Sequence, residues 1–216
     1  SLKGVQQERT ISDTFEQTIS GETLVDMEKL DMIVGSGGVI SHAPRREQAC
    51  KMLIDSFLPE GITQLAVDSI FMMLQLGVLS TVHAKAAVEV FEKDCLIRLG
   101  TCISPVGPQK KGQIVMNYIL HFEDGDIAGE LHDGEIKIIE APYMDIPATL
   151  TPAKGLDIGS GKHEVSMTTV YGGVVGIILD GRGRRPYNIP SEMDARVKKL
   201  LQWSESTNEY PIEEVN

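Results

Sequence analysis

This chain is short of cysteine, of positive charge and of long apolar runs, and each shortage removes a class of protein. Cys50, Cys95 and Cys102 are an odd number at spacings that fit no zinc pattern, and no histidine stands at ligand spacing to them. That excludes a disulfide scaffold and reads as a reduced, cytoplasmic protein with buried thiols. Lys and Arg number 20 against 31 Asp and Glu, for a net charge of −11. Such a chain repels phosphate backbones and anionic lipid, which argues against nucleic acid or a membrane as partner. The longest apolar run, Ser69 to Leu79, is broken by Gln75 and Gly77 and is too short to span a bilayer. There is no basic-then-apolar leader, no internal repeat and no low-complexity tract. The start at Ser1-Leu2, without an initiator Met, reads as a cloning scar on a shortened chain.

What remains is ordinary globular material. The 216 residues are 42% hydrophobic and 24% charged, enough for one large domain or two small ones with a real core. Ile11, Phe15 and Ile19 recur every four residues and predict an amphipathic helix from about Ser12, ended by Gly21. Leu30, Met32, Ile33 and Val34 form a short strand that stops at Gly35-Ser36-Gly37-Gly38. A helix follows, with Pro44 near its first turn, Cys50, Leu53, Ile54 and Phe57 as its apolar stripe, and Pro59 and Gly61 closing it. Two further helices are predicted. One runs from Ser69 to Leu76 and stops at Gly77; the next starts near Ser80 or Thr81 with Ala84, Ala87, Val88 and Phe91 on its apolar face. Cys95 to Ile103 reads as extended.

The Pro105-Val-Gly-Pro108 stretch with Lys110-Lys111-Gly112 is the candidate boundary. Beyond it the period falls to two: Ile114 to Phe122 alternates, and further strands are predicted near Ile127–Leu131, Glu135–Ile139, Glu164–Val170 and Val174–Leu179. Asp180-Gly181 then turns the chain into a last strand, Arg185–Ile189. A closing helix begins at Pro190-Ser191, with Met193, Val197, Leu200 and Leu201 as its buried stripe and Trp203 at its end. The tail from Ser204 is acidic and frays.

Few constellations could carry chemistry. A strand running into a glycine cluster and then a helix lets backbone approach a ligand unobstructed. The alternative is a tight turn that holds nothing. The third glycine of a dinucleotide fingerprint is missing, because Ile40 stands there. Gly155 to His163 fails as a P-loop: five residues separate Gly155 from Gly161, and His163 replaces the Ser or Thr. His42, His83, His121, His132 and His163 are scattered, with His121 and His132 placed to meet across a hairpin. Arg182, Arg184 and Arg185 cluster on a turn where they could dock an acidic partner, or stand as a solvated hairpin tip. No nucleophile arrangement is present, so no catalytic residue is assigned.

The run Ile33-Val-Gly-Ser-Gly-Gly-Val-Ile-Ser-His-Ala-Pro44 resembles the adenosine motif of the actin, sugar-kinase and Hsp70 superfamily. More specifically it is similar to the MutL/GlmL family of glutamate mutase accessory proteins, which are unrelated to the mismatch-repair protein of similar name. Leu99 to Gly107, Val174 to Arg184 and Ile189-Pro-Ser191 add to the likeness. The resemblance implies an accessory or chaperone-like protein that reactivates adenosylcobalamin-dependent mutases. Gly35, Ser36, Gly37 and Gly38 would line adenine and ribose. The superfamily holds phosphates and magnesium on upstream glycine hairpins, and residues 1–29 contain none. ATP and Mg are therefore expected only with the full-length protein, and hydrolysis is not expected of this chain.

The expected fold is α/β plus β. Residues 1–104 form the C-terminal part of an actin-like, ribonuclease H-like ATPase lobe. Residues 105–203 form a mostly antiparallel β-domain with a closing helix, and 204–216 a flexible acidic tail. The expected partners are mutase subunits and a second copy of the chain. The rival readings are a docking or oligomerisation module that binds no nucleotide, and an independent enzyme with a deep pocket lined by His121, His132 or His163.

Overall fold

The computed structural model describes residues 26–161, 163–184, 187 and 189–210. The helix predicted near Ser12 lies outside them. A single 3₁₀ turn, Met27–Lys29, leads into strand β1, Met32–Gly35. The glycine turn is followed by one turn of helix, α1, Gly38–Ser41, and then by α2, Arg46–Phe57. Strand β2, Gly61–Asp68, returns parallel to β1. Helix α3, Met73–Val90, and a π turn, Phe91–Cys95, connect to β3, Leu96–Ser104. Then come β4 (Ile114–Phe122), β5 (Gly125–His132), β6 (Ile136–Ile139), β7 (Asp145–Pro152), β8 (Ser166–Tyr171), β9 (Gly176–Asp180) and helix α4, Met193–Ser206.

The fold is mixed α/β with two sheets, neither of which is a closed barrel. The first has the order β1-β2-β3-β9-β6, and the second the order β5-β4-β7-β8 with every pair antiparallel. Strand β9 inserts between β3 and β6, parallel to the first and antiparallel to the second. The expected division at residues 104/105 therefore does not separate the sheets. The Pro105–Gly112 stretch is a connector, and the chain beyond it returns twice to the sheet begun by β1.

The first sheet is a shared wall. On one face Ile33, Leu65, Val67, Leu99 and Ile178 pack against Cys50, Leu53 and Ile54 of α2 and Trp203 of α4. On the other, Ile103, Ile177 and Leu179 pack against Met116, Leu120, Leu150 and Val170 of the second sheet. Strand β9 is buried throughout because alternate side chains enter the two cores. Leu53 and Ile54 are fully covered, and burying each contributes about 1.5–3 kcal/mol. Where β3 meets β9, Gly100 opposes Gly176. A Cβ on Gly100, whose φ is 144°, would run into the Gly176 carbonyl.

Several expectations change. Helix α3 runs straight through Gly77, whose helix cost is only about 1 kcal/mol against alanine. The break falls instead at His83 (φ −149°, ψ 72°), where Nδ1 accepts the Ala86 N–H at 3.2 Å as a new cap. Phe57 lies outside the α2 core and is half exposed. Helix α4 starts at Met193 because the Glu192 carboxylate accepts the N–H groups of Asp194 and Ala195. Its predicted stripe is not buried: Met193, Val197, Leu200 and Leu201 are exposed, and among its described residues Trp203 alone enters the core. The predicted strand at 185–189 is not formed at Tyr187 or Ile189, and Arg185, Pro186 and Asn188 lie outside the described residues. No described helix is long and apolar enough to cross a membrane.

Candidate functional site

The glycine turn sits at the carboxyl ends of two parallel strands, β1 and β2, the end of an α/β sheet where backbone is open to ligands. Each glycine has a different reason to be there. Gly35 is buried against α2, and a Cβ on it would fall 2.8 Å from Leu53 Cδ2. Gly37 takes φ 121°, open to glycine, and its carbonyl accepts the Ile40 and Ser41 N–H groups at 3.1 and 2.9 Å. Around Gly37 and Gly38 an added Cβ would meet no described atom within 4 Å. The backbone there is uncovered, a surface that a flat ring or a sugar could lie against.

Asp68, fully buried at the end of β2, ties the turn down. Ser36 Oγ donates to its carboxylate at 3.3 Å, and Ser41 Oγ donates to its backbone carbonyl at 2.6 Å. The same carboxylate lies 3.3–3.4 Å from the N–H groups of Ile70, Met72 and Met73. These long contacts hold the loop before α3 in a conformation that puts Phe71 at φ 59°, rare for a bulky side chain. Its ring lies 5.6 Å from that of His42, at a tilt of 56°. Asp68, Phe71 and His42 thus join Gly35, Ser36, Gly37 and Gly38 at one end of the sheet. Sequence reading leaves His42 among the scattered histidines and misses Asp68 and Phe71, because β2 is not recognised.

The arginine cluster is placed otherwise than expected. Arg182 is completely buried and Arg184 nearly so, so neither stands on a solvated hairpin tip. Arg182 donates through Nε and Nη2 to the two Asp180 oxygens, both at 2.9 Å. Its Nη1 lies 3.0 Å from Asp55 Oδ1 as an ion pair, off the line of a hydrogen bond. The guanidinium lies against two rings that also meet each other, 4.3 Å from the Tyr187 centroid and 5.1 Å from that of Trp203. Arg184 donates to the Pro59 carbonyl at 2.7 Å and to Asp180 at 3.1 Å. Burial pushes the Asp180 carboxyl up, but Arg184 and Arg182 outweigh it and hold it at about 2. These two arginines are internal fasteners that tie β9, α2 and α4 together. Arg185, the third member, lies outside the described residues.

The histidines do not assemble. His121 Nδ1 lies 3.0 Å from Asp126, while His132 sits near Glu130 and Glu135 at the other end of the same hairpin. His163 Nδ1 donates to the Pro152 carbonyl at 2.8 Å. Gly159 and Gly161 donate to Asp157 and close the loop on itself. Among the described residues no group of three or more His, Cys, Asp or Glu could hold a metal. The three cysteines are free and buried, and burial pushes the Cys102 thiol up to about 12.

A strand, a glycine turn with uncovered backbone and a helix, on a mixed α/β sheet, define a class of ligand-contacting turn rather than a protein. The family comparison is more specific: residues 5–95 match the family model for MutL protein. That match is consistent with a MutL/GlmL-family protein, as the resemblance implied. It takes in the glycine turn, Asp68 and α3 and ends at Cys95, so Leu99–Gly107 and Val174–Arg184 lie beyond it. No curated protein and no solved structure matches the chain.

Proposed function

We propose that this chain is part of an accessory protein for an adenosylcobalamin-dependent mutase, of the glutamate mutase or aminomutase type, and that its glycine turn forms one wall of an adenosine site. The observation that carries the reading is the MutL match over residues 5–95, which spans that turn. The local geometry is compatible with it. Gly37 and Gly38 leave backbone uncovered at the carboxyl ends of β1 and β2, and Asp68 fixes Ser36 beside them. The fit is to the nucleoside, for which uncovered backbone offers a wall to lie against. Bound ATP would supply the free energy for a conformational cycle. The residues here would orient adenine and ribose, and hydrolysis is not assigned to them.

Titration calorimetry with adenosine and with Mg-ATP, and pull-down against a cobalamin-dependent mutase, test the two halves of the reading. Adenosine binding that does not depend on magnesium is the expected result. No binding of either nucleoside or mutase would sink it. A second reading, a docking module that binds no nucleotide, draws on the apolar faces that α3 and α4 leave exposed. It predicts mutase or self-association with no response to nucleotide.

A further inference from the structure

A groove of about 470 Å³ runs between helix α3 and the first sheet. Val34 of β1 and Leu96 of β3 line its floor, and Leu76, Val88 and Phe91 line the side made by α3 and the π turn. Its size falls within the range of about 300–1,000 Å³ that holds small molecules. The lining is apolar apart from the Ser80 hydroxyl, which donates to the Gly77 carbonyl, and one pair of charged side chains, Glu92 and Arg98. That pair also borders a second hollow, of about 570 Å³ and walled by Tyr143, so the charge stands where the two spaces meet.

Arg98 decides what the groove can hold. Its side chain is only 24% exposed, yet its one ion-pair contact is to Glu92 at 4.0 Å, and Glu92 itself is 59% exposed. A pair that long and that wet contributes little. Among the described residues the Arg98 guanidinium donates no hydrogen bond. It is held instead over the Tyr143 ring, 4.8 Å from the centroid, and Tyr143 stacks on Tyr171 at 6.0 Å. A cation–π contact uses none of the N–H groups, so the fork is positioned and its donors are unspent. Arg182 and Arg184, by contrast, spend theirs on Asp180 and the Pro59 carbonyl. A planar fork of this kind matches a carboxylate. One guanidinium with Glu92 beside it balances a single negative charge better than the double charge of a phosphate. The rest of the occupant is hydrocarbon. Strands β1, β2 and β3 are hydrogen-bonded to one another beneath the floor, so a peptide laid across it would bury amide groups without partners.

We infer that this groove binds an aliphatic carboxylate, with its chain between α3 and the sheet and its head on the Arg98 guanidinium. The inference uses none of the residues of the glycine turn and stands apart from the adenosine reading. Titration calorimetry of the whole 216-residue chain with hexanoate, octanoate and decanoate, each below its micelle concentration, tests it. Affinity should rise about four-fold with each added methylene. Decanol and decylamine, which keep the chain and change the head, should each bind roughly ten-fold or more weaker than decanoate. Two variants locate the site. Arg98→Met keeps an apolar stem against Tyr143 and should bring decanoate down to the level of decanol while leaving decanol unchanged. Gly77→Leu adds a side chain at the groove wall, where a Cβ would meet no described atom within 4 Å, and should weaken decanoate and decanol alike. Circular dichroism spectra that match the wild type show that both variants are folded. A wild-type chain that binds no decanoate overturns the inference. So does decanol or decylamine binding as tightly as decanoate, or decanoate binding that either folded variant leaves intact.

Discussion

Arg182 and Asp180 form a fully buried, two-pronged ion pair, with Nε and Nη2 each 2.9 Å from a carboxylate oxygen. Two residues apart in sequence, they connect through Asp55, Arg184, Tyr187 and Trp203 to both helices on that face. Removing one member of such a pair leaves the other buried without its counter-charge. Asp180→Asn should cost about 3–5 kcal/mol in urea unfolding for that reason. Replacing Asp180, Arg182 and Arg184 together with apolar residues of similar volume should cost less than the single change. The reverse ranking would show that the three are not the unit.

The same pair sets an acid limit. Asp180 is held at about 2, against about 3.9 for an unfolded aspartate. A carboxylate lowered in the folded state contributes stability above its unfolded value, and that contribution is lost as pH falls toward the folded one. Thermal melts should therefore show a Tm falling between about pH 4 and pH 2, by roughly 2–3 kcal/mol of stability. In Asp180→Asn this fall should be smaller.

Gly35 and Gly38 should separate folding from binding. An alanine at 35 meets Leu53 at 2.8 Å and Ile40 at 3.1 Å, so Gly35→Ala should destabilise by about 1–3 kcal/mol. An alanine at 38 meets nothing and sits in the first turn of α1, so Gly38→Ala should leave the Tm unchanged or slightly raised. If the turn holds adenosine, Gly38→Ala should still weaken it, because the methyl group stands where the ring would lie. Denaturation and calorimetry on the same two variants decide this.

Trp203 is a built-in reporter. It is the chain's single tryptophan; it is buried, and its Nε1 donates to the Gly134 carbonyl at 2.7 Å. Its emission should be blue-shifted and should move to the red as α4 detaches. Trp203→Phe loses that bond, leaves the Gly134 carbonyl short of a donor and should cost about 1–3 kcal/mol.

Much of this fold was legible. The strand ending at Gly35, the helix carrying Cys50, Leu53 and Ile54, and the alternation of Ile114 to Phe122 each became the expected element, because each has one buried face and so one clean period. Strand β2 escaped because Thr63 is buried while Ile62 is only half covered, and both faces are buried from Leu65 to Asp68, so no clean apolar alternation survives. Strand β7 was hidden by Pro147 and Pro152, which argue against a central strand even though it lies between β4 and β8. Asp68, the anchor of the candidate site, was lost with β2. The α4 stripe shows a different gap: periodicity finds an apolar face but not what lies against it. The arginines were misplaced because three charges on a turn carry no sign of the aspartates and aromatic rings that enclose two of them.

Strand β9 has a consequence for how the molecule is made. The sheet begun at Met32 is completed only when residues 176–180 slip between β3 and β6. Until then β3 presents a bare edge and the Leu53 layer lacks Ile178. Closure of this sheet waits for residues 176–180, and the slow step of folding should be this long-range insertion. Proteolytic cuts after Ser104 should yield two halves that aggregate separately and regain structure only when mixed.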